Sequence, residues 1–175
     1  RTVQVAEDER KAWDMLQLLT AKPVLFVCNV EEDKAATGNS QSDRVAEMAA
    51  AQGAGQVVIS AKIEEEISQL PAEEATMFLE EMGLSEAGLD RLIQCSYDLL
   101  GLISFLTYGK DECRAWTIKK GTKAPQAAGK IHSDIERGFI RAEVVSFADL
   151  EACGGSMTTA KEKGLVRSEG KEYVM

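Results

Sequence analysis

The first half of the chain alternates short apolar runs with segments of helical periodicity. Residues 24–28 form a continuous apolar run, and residues 56–59 form a shorter one. Unbroken apolar runs are typical of central parallel strands, which are covered on both faces. Four segments repeat apolar residues at helical spacing: 6–20, 42–52 (with Ser42 as the predicted cap), 71–81 and 89–100. This alternation predicts the end of a parallel α/β sheet with the two strands adjacent.

The pattern of apolar positions changes near Gly101. Residues 103–108 and 113–118 are β-rich, and Gly109-Lys110-Asp111-Glu112 between them predicts a hairpin turn. Further elements are predicted in order along the chain: a short helix at 127–132, a strand at 139–147 with Ile140, Ala142 and Val144 on one face, and the start of a last strand at 173–175. Several strands around one helix predict a small α+β domain in this half.

Charge divides the chain at nearly the same place. The 175 residues have a formal net charge of −9. Residues 1–102 contain 8 basic and 19 acidic residues, whereas residues 103–175 contain 12 and 10. Five cations with no acid between them fall within 17 residues: Arg114, Lys119, Lys120, Lys123 and Lys130. They form a candidate nucleic-acid-binding surface, with scattered solvated charge as the alternative. The run Glu64-Glu65-Glu66 is predicted to be a solvated helix face.

The composition argues against a membrane-spanning, secreted or metal-binding protein. No apolar run approaches the roughly 20 residues that cross a bilayer, and no signal peptide is recognised. The four cysteines form no CxxC pair and are predicted to be buried free thiols, as in a reducing cytoplasm: Cys28, Cys95, Cys113 and Cys153. His132 is the only histidine, so no metal site is predicted. We therefore expect a cytoplasmic protein without a membrane partner.

Polar residues follow both predicted strands. Asn29 and Glu32 come after the first strand, and Ser60-Ala61-Lys62 comes after the second. Ligands of open α/β sheets bind outside the carboxyl ends of the strands. An amide that donates and accepts, beside an accepting carboxylate, can contact a purine edge, and N–H groups at a helix start can contact a base. Either motif alone is a weak signal and is more typical of a solvated turn. Together they match the base-recognition half of a P-loop GTPase-like domain, in which N-K-x-D and S-A-K follow successive strands.

Two longer stretches resemble a single family. Residues 22–32, K-P-V-L-F-V-C-N-V-E-E, are similar to the segment of the Obg-like ATPase (YchF) family in which N-x-x-E replaces N-K-x-D. Residues 114–144, R-A-W-T-I-K-K-G-T-K-A-P-Q-A-A-G-K-I-H-S-D-I-E-R-G-F-I-R-A-E-V, resemble the TGS domain of that family almost residue for residue. The resemblance extends over essentially the whole chain. It implies a TRAFAC-type P-loop NTPase in three parts: the end of a helical insertion at 1–22, the C-terminal part of an Obg-type G domain at 23–101, and a ubiquitin-like β-grasp TGS domain at 102–175 without its last strand.

The resemblance also implies a nucleotide. It implies ATP, with GTP less favoured, together with Mg²⁺ in the complete protein. The adenine would lie beside five residues, with Val30 acting through its backbone: Asn29, Val30, Glu32, Ser60 and Ala61. The aspartate of N-K-x-D accepts from guanine N1–H and 2-amino groups that adenine lacks, so its replacement implies a preference for adenine. No G-x-x-x-x-G-K-[ST] loop occurs in this sequence. The P-loop and the Mg²⁺ ligands are therefore expected before Arg1, and this chain alone is expected to be inactive as a hydrolase.

The implied partner is the ribosome or RNA, docked through the five cations from Arg114 to Lys130, with no DNA sequence recognition. The alternative is a regulatory β-grasp module that binds a small ligand or a protein without nucleic acid. The net charge of −11 in residues 1–102 would repel RNA, which keeps this alternative open.

Overall fold

The computed structural model describes residues 3–109 and 112–175, which divide into two compact units. The first unit extends to Leu100, and the second begins at Gly101. The change of sequence pattern near Gly101 falls at this division. The predicted hairpin turn includes Lys110 and Asp111, which lie outside the described residues.

The first unit contains a parallel pair of strands, as predicted. Strand β1 (Leu25–Asn29) pairs with β2 (Gly55–Ile59), so that Val27 lies opposite Val57. The described residues of this unit also form five α-helices: α1 (Arg10–Met15), α2 (Ser40–Gln52), α3 (Ala61–Ser68), α4 (Ala72–Glu81) and α5 (Gly88–Leu100). This is the α/β alternation that the sequence predicts, and it places the ends of both strands at one edge of the sheet.

The cap of α2 differs from the prediction. Asn39, not Ser42, is the N-cap, and its Oδ1 accepts from the backbone N–H of Gln41 and of Ser42, each at 3.0 Å. Ser42 is the third helical residue, and its Oγ accepts from the N–H of Asn39 at 2.8 Å. The two residues therefore form a reciprocal capping box. Gly53 ends the helix with a φ of +61°, a conformation that glycine adopts without strain.

The helix predicted at 6–20 is much shorter than expected. α1 ends at Met15, and only a 3-10 turn at Leu19–Ala21 follows it. Gln17 adopts a φ of +48°, which an α-helix cannot contain. Most large apolar residues of this segment, including Met15 and Leu19, are exposed, and Trp13 is half-buried. Helical spacing of apolar residues was therefore an insufficient guide here, because no core in the described chain covers them.

The core of the first unit is centred on α3. Ile63 is 1% exposed and packs with buried Ala35 and Leu84. Partly buried residues of α3, α4 and the following turn complete the cluster: Ile67, Phe78, Leu79 and Met82. This packing fixes α3, and with it the residues that begin the helix at the end of β2.

The second unit is the predicted small α+β domain. An antiparallel hairpin of β3 (Leu102–Tyr108) and β4 (Cys113–Lys119) places Ile103 opposite Ile118. The remaining elements follow in order: α6 (Ala124–Gly129), α7 (Ser133–Arg137), β5 (Ala142–Val144), α8 (Phe147–Ala152), α9 (Met157–Glu162) and β6 (Arg167–Glu169). β5 pairs antiparallel with β6, and Val174 forms a bridge to Lys123.

The strand predicted at 139–147 is wrong over most of its length, since β5 covers only Ala142–Val144. Phe139 is buried, whereas Ile140 is 77% exposed and does not share the buried side of Ala142 and Val144. Ser146 ends the extended segment because its Oγ accepts from the N–H of Asp149 and caps α8. The sequence prediction also missed α7, α8, α9 and β6.

The core of the second unit forms beside α6. Ala124, Ala128 and Phe139 are buried together, with Ala142 and Tyr173 packed against them. The alanines let the helix approach its neighbours closely. The four cysteines are free, as predicted, but only Cys153 is buried; Cys28 and Cys95 are half-buried, and Cys113 is exposed on β4. In the described residues, no helix is long and apolar enough to cross a membrane.

Candidate functional site

The two polar motifs of the first unit meet at the ends of β1 and β2. Asn29 is the last residue of β1, and Ala61 is the first residue of α3. The Oδ1 atom of Asn29 accepts a hydrogen bond from the backbone N–H of Ala61 at 2.9 Å. This bond fixes the orientation of the Asn29 amide and leaves its two Nδ2–H groups as donors at the edge of the sheet.

Ser60 directly precedes Ala61 in the chain. It is 2% exposed, and its Oγ has no hydrogen-bond partner in the described chain. Although Ser60 is the N-cap of α3, its side chain does not cap the helix. A buried hydroxyl without a partner is costly unless another group satisfies it. The orphaned Ser60 Oγ and the Asn29 donors therefore suit a polar, hydrogen-bonding ligand such as a purine base.

Val30 and Glu32 are placed differently from Asn29. The N–H of Val30 donates to the carbonyl of Ile59 at 2.9 Å, and Val30 is buried, so its N–H is not available to a ligand. Glu32 forms an ion pair with Lys62 across the two motifs. The hydrogen bond and the charge of Glu32 raise the pKa of the Lys62 amine above its ordinary value. The Glu32 carboxylate thus has one partner already, while Lys62 becomes part of the site.

Glu64 has a structural role that the sequence prediction missed. The run Glu64-Glu65-Glu66 was predicted to be a solvated helix face. Instead, the Glu64 carboxylate accepts from the backbone N–H of Gly88 at 2.7 Å and of Leu89 at 3.1 Å. A carboxylate at these N–H groups caps the start of α5 and interacts favourably with the helix dipole. Gly88 leaves room for it, since a Cβ there would lie 2.8 Å from Glu64 Oε1.

Replacing Glu64 with alanine should lower the free energy of unfolding by about 1–2 kcal/mol, the usual cost of a lost helix cap. Glu65→Ala is the matched control, because Glu65 is exposed and removing it should change stability by at most about 0.5 kcal/mol. Urea unfolding of both variants measures the difference. Equal stability of the two variants would mean that the Glu64 cap contributes nothing.

The five cations of the second unit have unequal surroundings. Arg114 lies over the Trp116 ring, with its guanidinium carbon 4.4 Å from the ring centre, and its Nη1 lies 3.9 Å from Glu112 Oε1. Trp116 is half-buried, and its Nε1 donates to Thr107 Oγ1 at 3.0 Å. Arg114 is therefore held against the hairpin by a cation–π contact rather than extended freely into solvent.

Lys123 is paired with an acid that is distant in sequence. Its Nζ lies 2.5 Å from the Glu172 carboxylate, and this hydrogen bond and charge lower the pKa of Glu172. Lys119, Lys120 and Lys130 are exposed and form no ion pair among the described residues. Lys119 and Lys120 follow each other at the end of β4, whereas Lys130 lies at the far end of α6. Among these five cations, the two adjacent unpaired charges are thus Lys119 and Lys120.

Comparison with known proteins gives matches over the whole chain. Residues 102–175 match a family model described as YchF-GTPase_C, a protein of unknown function (DUF933). The Ribosome-binding ATPase YchF of Bacillus subtilis (strain 168) is 55% identical over 177 residues, covering 100% of this chain and 48% of that protein. The protein of the same name from Escherichia coli O157:H7 is 44% identical, again over 100% of this chain and 48% of its own length.

A solved structure agrees with these sequence matches. The structure of the Schizosaccharomyces pombe YchF GTPase superposes with a TM-score of 0.79 at 34% identity, covering 100% of this chain and 47% of that one. The α/β first unit and the α+β second unit are thus the fold of part of a P-loop GTPase with a TGS-like domain. The chain spans about half the length of the curated relatives it matches. On sequence and on structure, this chain belongs to the YchF family.

Proposed function

We propose that this chain is part of a nucleotide-binding, ribosome-associated ATPase of the cytoplasm and that it provides half of the site for the adenine base. The observation that supports this most directly is the hydrogen bond between Asn29 Oδ1 and Ala61 N–H, which joins the two motifs at the carboxyl ends of adjacent parallel strands. Ligands of open α/β sheets bind at such an edge. The names of the B. subtilis and E. coli relatives describe them as ribosome-binding ATPases, in keeping with this function.

In the proposed site, Asn29 donates through Nδ2 to a purine ring nitrogen, and Ser60 Oγ provides a further hydrogen bond. Val30 contributes through its carbonyl, because its N–H is already bonded. Glu32, held by Lys62, selects adenine over guanine. When bound, ATP with Mg²⁺ supplies the hydrolysable phosphates, which a P-loop elsewhere in the complete protein would hold.

Glu32→Asp in the complete protein should shift nucleotide preference from ATP towards GTP. The shorter carboxylate is withdrawn from Lys62 and resembles the aspartate that accepts from guanine N1–H and 2-amino groups. Competition binding of ATP and GTP measures the ratio of the two dissociation constants. An unchanged ratio would remove Glu32 from base selection.

Asn29→Asp is the comparison variant for the same experiment. It keeps the oxygen that accepts from Ala61 but loses both Nδ2 donors. Because the ring nitrogen N7 is common to adenine and guanine, we expect ATP and GTP to weaken alike, by about tenfold or more. Full affinity in this variant would contradict the base site itself.

For the second unit we propose docking to the ribosome or RNA through the exposed cations, principally Lys119 and Lys120. Lys123 and Arg114 play smaller parts because they already contact acids. Lys130 also plays a smaller part, since it lies at the far end of α6. The alternative is a regulatory β-grasp module that binds a small ligand or a protein. The salt dependence of binding distinguishes the two functions. Affinity for RNA falls steeply with ionic strength, whereas affinity for a neutral ligand does not.

A further inference from the structure

An open groove of about 470 Å³ lies along α3 in the first unit. One wall is a single face of α3, with residues spaced at i, i+3, i+4 and i+7, and apolar surface is added by the turn after α3 and by α4. The lining residues are Lys62, Glu65, Glu66, Gln69, Leu70 and Phe78. Leu70 and Phe78 are only partly buried by the unit itself, so apolar surface remains accessible in the groove.

The helices beside this groove are strongly acidic. Residues 61–82 contain seven glutamates and a single cation, Lys62, which is already paired with Glu32. One of the seven, Glu64, caps α5. The other six form no ion pair with any residue in the described ranges: Glu65, Glu66, Glu73, Glu74, Glu80 and Glu81. Met77, between them on α4, is 70% exposed.

We propose that this groove binds a basic, amphipathic segment of a partner protein. The apolar side chains of the segment would cover Leu70 and Phe78, and its lysine or arginine residues would pair with Glu65 and Glu66 at the rim. Charge complementarity selects this occupant: the acidic helices attract a cationic segment and repel RNA. They also repel a second copy of the same acidic surface. The groove shares Lys62 with the base site, but Glu65, Glu66, Leu70 and Phe78 are not among the residues proposed to contact the base.

The test uses the full chain and a fluorescein-labelled helical peptide of about 15 residues, or about four turns. Leucine occupies one face of the peptide, and lysine occupies the other positions. Fluorescence anisotropy measures its affinity for the wild-type chain and for Glu65→Gln/Glu66→Gln. We expect the double variant to bind about three- to tenfold more weakly, the effect of losing two exposed ion pairs. A peptide with serine in place of leucine should bind more weakly still, because it cannot cover Leu70 and Phe78.

The matched control is Glu7→Gln/Glu9→Gln, which removes the same charge from exposed residues of the first unit that do not line the groove. It should change affinity less than about twofold. Equal weakening by the two double variants would attribute binding to net charge and overturn the proposal, as would equal affinity for the leucine and serine peptides. Displacement of the peptide by single-stranded RNA, or a dimer of the chain that Glu65→Gln/Glu66→Gln abolishes, would assign the groove to another occupant.

Discussion

Ile63→Ala is expected to lower the free energy of unfolding of the first unit by about 2–5 kcal/mol. Ile63 is 1% exposed and is the largest fully buried side chain of the described residues. Its removal leaves a cavity between α3 and the buried Ala35 and Leu84, which the surrounding core cannot fill without moving helices. Urea unfolding followed by circular dichroism measures the loss.

The control for this variant is Ile93→Ala. Ile93 is 48% exposed on α5, so the same three carbon atoms are removed from a site that water already reaches. We expect a loss of about 1 kcal/mol or less there. If both substitutions cost the same, α3 is not the centre of the core, and the fixed position of the Ser60 and Ala61 end of the helix loses its explanation.

Lys119→Ala/Lys120→Ala should reduce affinity for single-stranded RNA and flatten its dependence on salt. Each phosphate contact contributes about 0.7 to the slope of log affinity against log salt on single strands, so two lost contacts should lower the slope by about 1.5. Lys123→Ala should have a smaller effect, because Glu172 already neutralises Lys123. Binding of a labelled oligouridylate, followed by binding of purified ribosomes, measures both quantities over a range of salt.

A matched control for the lysine pair is Arg141→Ala/Lys163→Ala, which removes two exposed charges of the second unit outside the five-residue cluster. It should leave the salt slope nearly unchanged. If both double variants lowered the salt slope equally, RNA binding would depend on the overall positive charge of the unit and not on contacts with Lys119 and Lys120. Absence of salt-dependent RNA binding by the wild-type chain would favour the β-grasp module that binds without nucleic acid.

The strands and their order could be predicted from sequence because their pattern is local. The apolar run before Asn29 and the one before Ser60 each give a strand, and the two strands pair in parallel as expected, although β1 is not covered on both faces, since Val27 is 46% exposed. The helix predicted at 6–20 cannot continue through Gln17, because the backbone of this residue is left-handed. This conformation could not be predicted from sequence, since no glycine marks the position. The prediction that Ile140 shares a face with Ala142 and Val144 was wrong, because the exposure of Ile140 depends on tertiary packing around Phe139. Sequence periodicity does not show this packing.

The candidate site could be located from sequence, but its partners could not. The two motifs identified the edge of the sheet at Asn29 and Ala61 because strand ends and helix starts can be recognised locally. The pairing of Lys123 with Glu172 joins residues 49 positions apart, and no local pattern predicts it. The same is true of Glu64 with Gly88, since the acidic run around Glu64 gives no indication which carboxylate turns towards another helix.

The Glu64 cap has a consequence for motion in the first unit. Glu64 lies one turn along α3 from Ser60, whose carbonyl accepts the N–H of Glu64 at 3.1 Å. A short helix moves as a rigid rod, so a displacement at the Ser60 end changes the distance from the Glu64 carboxylate to the amides of Gly88 and Leu89. The hydrogen-exchange rates of these two amides therefore depend on the position of α3. A ligand that binds at the edge of the sheet and shifts α3 should change both rates.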